Sequence, residues 1–323
     1  MRVAIVSPDP SNSSGGVERF CHTLRDAIVS LGGTADVVSA GQLGRVEHDV
    51  AVTNGMVGRR TAAPRIHVYH GCWVDHVRLG SRTSSHSLPW KTRFLLTGAA
   101  KELWRGYDAY RVAVSERTAA EVKRWYRYGV HRVIPNGVDT AIFAAGDRAT
   151  ARGSLGIAAE ERLALFVGRA EDRKRPDIAA AAASRAKYRL LHAGSGTIAG
   201  ATRLGTLSPS QLRSWINAVD CVLAPSEYEG CSIAILEAMA AGTAVVTTRV
   251  GYIPTVVATV PGYAELTATA GDVDDFTRAL ALVRARVTTV AAVTAFVRAE
   301  NSLGVFARRW GSAIEDALRS RRG

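Results

Sequence analysis

Two glutamates, Glu229 and Glu237, stand eight positions apart; Gly230-Cys231-Ser232 follows the first and the apolar run Ile233-Ala-Ile-Leu236 precedes the second. Eight residues is a little over two helical turns, so a helix spanning this stretch would carry both carboxylates on one face. Gly230–Ser232 would then form its first turn, where backbone N–H groups without intrahelical partners attract anions. Glu237 lies between Leu236 and Ala238-Met239-Ala240-Ala241. A carboxylate in so apolar a run costs free energy unless it accepts a hydrogen bond, which ribose hydroxyls could donate. Two carboxylates flanking an anion-seeking helix end suit a polyol joined to a phosphate, the chemistry of a nucleotide sugar.

Other groups fit the same chemistry. Gly168-Arg169 closes an apolar strand, with Lys174 five residues on; the carboxyl edge of an open α/β sheet is where ligands bind. Arginine grips phosphate oxygens in bidentate fashion and lysine adds a point charge, so the pair could neutralise a departing diphosphate. Ser11-Asn-Ser-Ser-Gly15-Gly16 lies between a strand and a helix, where glycine lets backbone approach a ligand. It is not a G-x-G-x-x-G run, which argues against a dinucleotide site. His70 ends the strand Ile66-His-Val-Tyr69; a lone histidine so placed reads as structural on its own. Cys231 reads as a small residue that fits its turn. Asp272-Val-Asp274-Asp275 imitates a metal motif, but an aspartate just before a helical run is better read as a cap. Ser115 and Ser226 have no histidine at a spacing that would make a hydrolase triad.

Together these residues resemble the retaining glycosyltransferases of family 4 with the GT-B fold, and the resemblance runs along nearly the whole chain. Glu229 to Glu237 is similar to the family's E-x7-E motif, Gly15-Gly16-Val17-Glu18 to its first glycine loop, and His70-Gly71 to its strand-end histidine. Val114-Ser115-Glu116 and Val133-Ile-Pro-Asn136-Gly137-Val138-Asp139 resemble landmarks on the way to the domain junction, and Ala193-Gly-Ser-Gly196 and Pro225-Ser226 follow in order. The family commonly has glycine after the lysine; here Arg175 follows Lys174. The resemblance implies α/β architecture with two Rossmann-like domains facing across a cleft. It implies Arg169 and Lys174 on the diphosphate, Glu237 on the ribose, and Glu229 on the donor sugar. It also implies that the N–H groups of Gly230, Cys231, Ser232 and Ile233 meet sugar and phosphate, and that Gly15 and Gly16 lie by the donor. His70 would touch the donor sugar or stabilise developing positive charge through its carbonyl. Configuration at the anomeric carbon would be retained, with neither a catalytic metal nor a cofactor beyond the nucleoside diphosphate sugar. Alternatives are a nucleotide-sugar epimerase of the same fold and a binding protein without activity.

The chain must then supply elements that hold these groups. At 323 residues it can bury two cores, and 47% hydrophobic with 22% charged residues is a globular composition. Alternating strands and helices, beginning with Arg2–Ser7, Glu18–Leu31 and Ala35–Ser39, read as βαβ units on parallel sheets. The reading gives an N-terminal domain over residues 1–142, a nucleotide-sugar domain over 143–304, and a last helix, 305–323, packed back on the first. Gly80–Pro89 reads as a loop. Four scattered cysteines suggest buried thiols and a cytoplasmic chain. No apolar run reaches the length of a membrane-spanning helix. The formal charge is +12, and Arg59–Arg132 holds 15 Lys/Arg against 5 Asp/Glu, a net +10. That excess, with Trp73, Trp90, Phe94 and Trp104 interleaved, is either a plain solvated face or one that favours an anionic partner, a phosphorylated acceptor or the inner membrane face; the hydroxyl-bearing acceptor stays open between a lipid-linked, a cell-envelope and a small natural-product molecule. Nucleic acid is not expected, because no reading motif accompanies the charge.

Overall fold

A computed structural model describes residues 1–12, 15–80 and 88–320. In chain order the elements are β1 (Arg2–Val6), α1 (Gly16–Ser30), β2 (Thr34–Val38), β3 (Val50–Asn54), β4 (Arg65–Tyr69), α2 (Trp73–Gly80), α3 (Leu88–Gly106), β5 (Tyr110–Ala113), α4 (Glu116–Tyr126), β6 (Arg132–Val133) and α5 (Arg148–Ser154). There follow β7 (Leu163–Val167), α6 (Pro176–Arg185), β8 (Arg189–Ala193), β9 (Thr202–Gly205), α7 (Pro209–Ala218), β10 (Cys221–Ala224), α8 (Ile233–Ala240), β11 (Ala244–Thr248), α9 (Ile253–Thr259), β12 (Thr267–Ala268), α10 (Val273–Leu282), α11 (Val287–Asn301) and α12 (Leu303–Arg319). Most of the expected loop Gly80–Pro89 lies outside the described residues, as do Ser13 and Ser14 of the glycine loop.

The chain divides into two units. The first comprises Met1–Gly137, Glu229–Cys231 and Leu303–Gly323, and the second Val138–Tyr228 and Ser232–Ser302. The break therefore falls after Gly137 rather than at residue 142, and the short Glu229–Cys231 stretch groups with the first unit. Each unit holds one six-stranded sheet, with orders β2-β1-β3-β4-β5-β6 and β12-β11-β10-β7-β8-β9. Neighbouring strands pair in parallel throughout, for example Val3 with Ala35 and Leu165 with Leu191. In each sheet the strand order reverses once, between β1 and β3 and between β7 and β10. In open α/β sheets ligands bind outside the carboxyl ends of strands at such points.

In the first unit Phe20, Leu24 and Ile28 of α1 are buried together with Phe306, Trp310 and Ile314 of α12. The Phe20 ring meets those of Phe306 and Trp310 at centroid distances of 6.0 and 5.7 Å. In the second unit the central strands β7, β10 and β11 are near-continuous apolar runs, as both-face burial requires. Local signals agree with the elements: the Ser208 hydroxyl and the Gln211 side chain form a reciprocal capping box at α7. Asp272 accepts from the N–H groups of Asp274 and Asp275 to cap α10, so the acidic cluster has a helix-start role. Ser115 likewise caps α4 by accepting from Thr118 N–H.

Candidate functional site

In the second unit, β7 ends at Val167, and Gly168 (φ +122°) turns the chain out of the sheet beside the strand-order reversal. A Cβ on Gly168 would lie 3.3 to 3.5 Å from Cε, Cδ and Nζ of Lys174, so the lysine folds back over this turn. A Cβ on Gly194 would lie 2.0 Å from the Gly168 carbonyl oxygen, so only glycine lets the turns after β7 and β8 touch. Arg169 projects outward with its side chain 71% exposed and pairs loosely with Glu171. The two expected phosphate ligands thus differ: Lys174 is half-buried against the strand end, and Arg169 is open to a ligand.

The turn continues through Asp172–Lys174, a single 3-10 turn, and Arg175 adopts φ +50°, the left-handed region where glycine is the usual residue. The departure from the family's lysine-glycine pair falls at a position where it matters. Arg175 donates to both Asp177 (2.6 Å) and Glu227 (2.7 Å), and these carboxylates raise its pKa above the ordinary arginine value. Arg173 donates to the Tyr228 carbonyl (2.6 Å) and to Glu171 (2.6 Å). In sequence, Arg173 and Arg175 belong to the charge run Glu171-Asp-Arg-Lys-Arg175 and nothing marks Glu227; the positive φ and the loop contacts single them out.

The helix expected to span both glutamates is shorter. Its N-cap is Ser232, in extended conformation (φ −72°, ψ 118°), and α8 runs from Ile233. Gly230, Cys231 and Ser232 therefore precede the first turn instead of forming it, and Glu229 and Glu237 do not share a helical face. The physical reason lies at Gly230. A Cβ there would sit 1.9 Å from the His70 carbonyl oxygen, so the chain is held flush against His70 within the first unit and α8 starts only beyond it. Asn136 secures the same stretch by donating to the Cys231 carbonyl (2.7 Å). Burial pushes the Cys231 thiol up to about 12, which keeps it a neutral small residue. Glu237 is 1% exposed, among buried Leu236, Ala238 and Met239, and Ile233 supplies the first amide of α8.

In the first unit, Gly15 is the N-cap of α1 and Gly16 its first residue. A Cβ on Gly16 would meet nothing within 4 Å, whereas one on Gly15 would lie 2.0 Å from the Glu18 carboxylate. His70 follows β4, half-buried, with its ring edge-on to Phe20 at 4.6 Å. Its Nε2 lies 2.8 Å from Asn54 Oδ1. Asn54 Nδ2 donates to the Val6 carbonyl (2.7 Å), which fixes the amide so that its oxygen faces the imidazole. His70 therefore carries its proton on Nε2 and is neutral, and desolvation lowers its pKa to about 4. Asn54 stands at the end of β3, beside the strand-order reversal; no sequence pattern marked it. Among the described residues no cluster of three or more His, Cys, Asp or Glu could hold a metal ion.

Residues 161–284 match the family model described as Glycosyl transferases group 1. A D-inositol 3-phosphate glycosyltransferase of Segniliparus rotundus is 36% identical over 172 residues, 46% of this chain and 38% of that protein. The chain thus matches less than two fifths of that relative's length. Among solved structures, the sucrose-phosphate synthase of Thermosynechococcus elongatus superposes with a TM-score of 0.84 over 99% of both chains at 18% identity. Anabaena HepE in complex with UDP-glucose superposes with a TM-score of 0.69 over 98% of this chain and 100% of that one, at 14% identity. The chain therefore has the GT-B fold along its length, and its second half carries the sequence pattern of the group 1 glycosyl transferases.

Proposed function

We propose that this chain is a retaining glycosyltransferase that moves a sugar from a nucleoside diphosphate to a hydroxyl of an anionic acceptor. The observation that carries the reading is the turn after β7, where Lys174 folds over Gly168 and Arg169 stands open at the strand-order reversal. Cations so placed suit a diphosphate leaving group. Buried Glu237 suits ribose hydroxyls, Glu229 the hydroxyls of the donor sugar, and the amides from Gly230 to Ile233 the sugar–phosphate link. In this reading the bond from the anomeric carbon to the diphosphate oxygen breaks as the acceptor oxygen bonds to the same face. The acceptor proton passes to the leaving diphosphate. His70, neutral and held by Asn54, borders the sugar. Catalysis is then mostly positioning and charge stabilisation, with no metal ion or further cofactor taking part.

The acceptor reading follows from charge. Helix α3 exposes Phe94, Leu96 and Trp104, with exposed Tyr107 just past its end, beside the exposed cations Arg93 and Lys101, and the Arg60 guanidinium stacks 4.2 Å over the Trp104 ring. Such a face suits peripheral docking on an anionic lipid surface from the cytoplasmic side. The relative's name offers a soluble phosphorylated polyol as the other source of negative charge.

Purified protein is tested by calorimetry against UDP-, GDP- and dTDP-sugars. Products formed with inositol phosphate, or with vesicles containing anionic lipid, are read by mass spectrometry with and without EDTA. One donor should bind and transfer with unchanged anomeric configuration and no loss in EDTA. Release of an epimerised donor without acceptor would make the chain an epimerase instead. Glu237→Ala and Lys174→Ala should each weaken donor binding by about ten- to a hundredfold, the worth of a charged hydrogen bond. Unchanged affinity in both variants removes those assignments.

A further inference from the structure

Arg175 holds a conformation that favours glycine, and its side chain is only 15% exposed. It spans from the turn after β7 to Glu227, itself 13% exposed, on the loop after β10. The second Glu227 carboxylate oxygen is buried without a hydrogen-bond partner among the described residues. Two further links run between the same segments: Glu227 N–H donates to the Arg173 carbonyl (2.9 Å), and Arg173 donates to the Tyr228 carbonyl (2.6 Å). A solvated charge cluster would have neither this burial nor three parallel ties. A strained backbone held by surrounding contacts points to a functional constraint at the site.

We propose that the Arg175–Glu227 ion pair is a positioning device that registers the Lys174 turn against the loop leading into Glu229. This rests on the donor reading above. The two segments supply the ligands read for opposite ends of the donor, diphosphate and sugar, and they come from strands β7 and β10, which flank the strand-order reversal. Neither Arg175 nor Glu227 touches the donor in this account. Each acts through its neighbour, Lys174 on one side and Glu229 on the other.

The test uses the full chain carrying Arg175→Gly, Glu227→Gln, or both. Glycine adopts φ +50° without strain, so the double variant should melt within a few degrees of the unmodified protein. Each single change should weaken nucleoside diphosphate sugar binding about tenfold, the scale of a small misplacement. The double variant should be no worse than either single one, because both remove the same tie. Amides 227–230 should exchange hydrogen faster in all three. Donor affinity equal to the unmodified protein, losses that multiply in the double variant, or losses that only track melting temperature would overturn the proposal. If the unmodified chain binds no nucleotide sugar, the donor reading fails separately, and unchanged exchange at 227–230 would still sink the ion pair as a loop anchor.

Discussion

At the scale of single residues, the most consequential arrangement is His70 with Asn54. The amide of Asn54 is pinned by the Val6 carbonyl, so it can only accept from His70 Nε2–H. An imidazole in that setting stays neutral, with its pKa lowered to about 4 by desolvation. Asn54→Asp would place a carboxylate against the ring and favour the imidazolium, raising the His70 pKa by roughly one to three units. We expect imidazole nitrogen shifts in NMR to show this rise, and the acid limb of the rate profile to move upward with it. A limb that stays in place while the pKa moves would show that the protonation state of His70 does not matter to turnover. Cys231 makes the converse point. It stands at the same bend, but a thiol pushed up to about 12 has no thiolate to offer near neutral pH, so Cys231→Ser should change rate far less than any change at Gly230.

At the scale of elements, Glu102 of α3 ties three helices: it accepts from the backbone N–H of Trp73, the first residue of α2 (2.8 Å), and from the Tyr126 hydroxyl of α4 (2.6 Å). Burial pushes its pKa up to about 7 from an ordinary 4.5. His67 in β4 and His70 just after it are lowered from 6.5 to about 3 and about 4, again by burial. The signs oppose each other. Below pH 6.5 the unfolded chain takes up protons that the two folded histidines refuse, so stability falls with pH toward their folded values. Between 4.5 and 7 folded Glu102 binds a proton that the unfolded chain has released, so stability rises as pH falls. Glu102→Gln keeps an acceptor and removes the second effect. Its unfolding free energy from urea titrations should fall more steeply than that of the unmodified protein between pH 7 and 5.5, by an extra 1–2 kcal/mol or so. Parallel slopes would mean that Glu102 titrates as an ordinary carboxyl. Most elements of this kind were legible from sequence. In sequence Leu163–Val167 and Ala244–Thr248 read as apolar strands and Pro176–Arg185 as a helix opened by proline, and they are β7, β11 and α6, because apolar run, helix-start proline and breakers all agree there. Helix α11 was not legible: Val287-Thr-Thr-Val-Ala-Ala-Val is rich in β-branched residues and has no side-chain cap, so its helicity rests on tertiary packing, mainly against α8. Glu229 misled for a related reason. Its spacing from Glu237 fits a helix, but a backbone contact from a residue more than 150 positions away, at Gly230, decides the local conformation.

At the scale of the whole molecule, neither unit is a continuous piece of chain. The first is completed by α12, whose Phe306, Trp310, Ala313, Ile314 and Ala317 are buried. Asp316 of the same helix accepts from Arg132 of β6 (2.6 Å) and from the Tyr110 hydroxyl of β5 (3.1 Å), fixing α12 to these strands, and hydrogen bonds from Arg319 and then Arg132 hold its carboxyl down at about 2. The ion pair is exposed and screened, so it sets register more than stability. The aromatic burial is the larger effect: truncating a buried tryptophan typically costs about 3–5 kcal/mol, a large part of the 5–15 kcal/mol or so by which domains of this size are stable. A fragment of residues 1–137 lacks all of it and leaves Phe20, Leu24 and Ile28 of α1 uncovered. We therefore expect that fragment to show no cooperative thermal transition, and addition of a peptide covering 303–320 to restore one with a midpoint that rises with peptide concentration. In the full chain, Trp310→Ala should lower the melting temperature while leaving the nucleotide binding proposed for the second unit intact below it. A fragment 1–137 that melts cooperatively by itself would show that α12 merely decorates a core already closed by α1 and the first sheet.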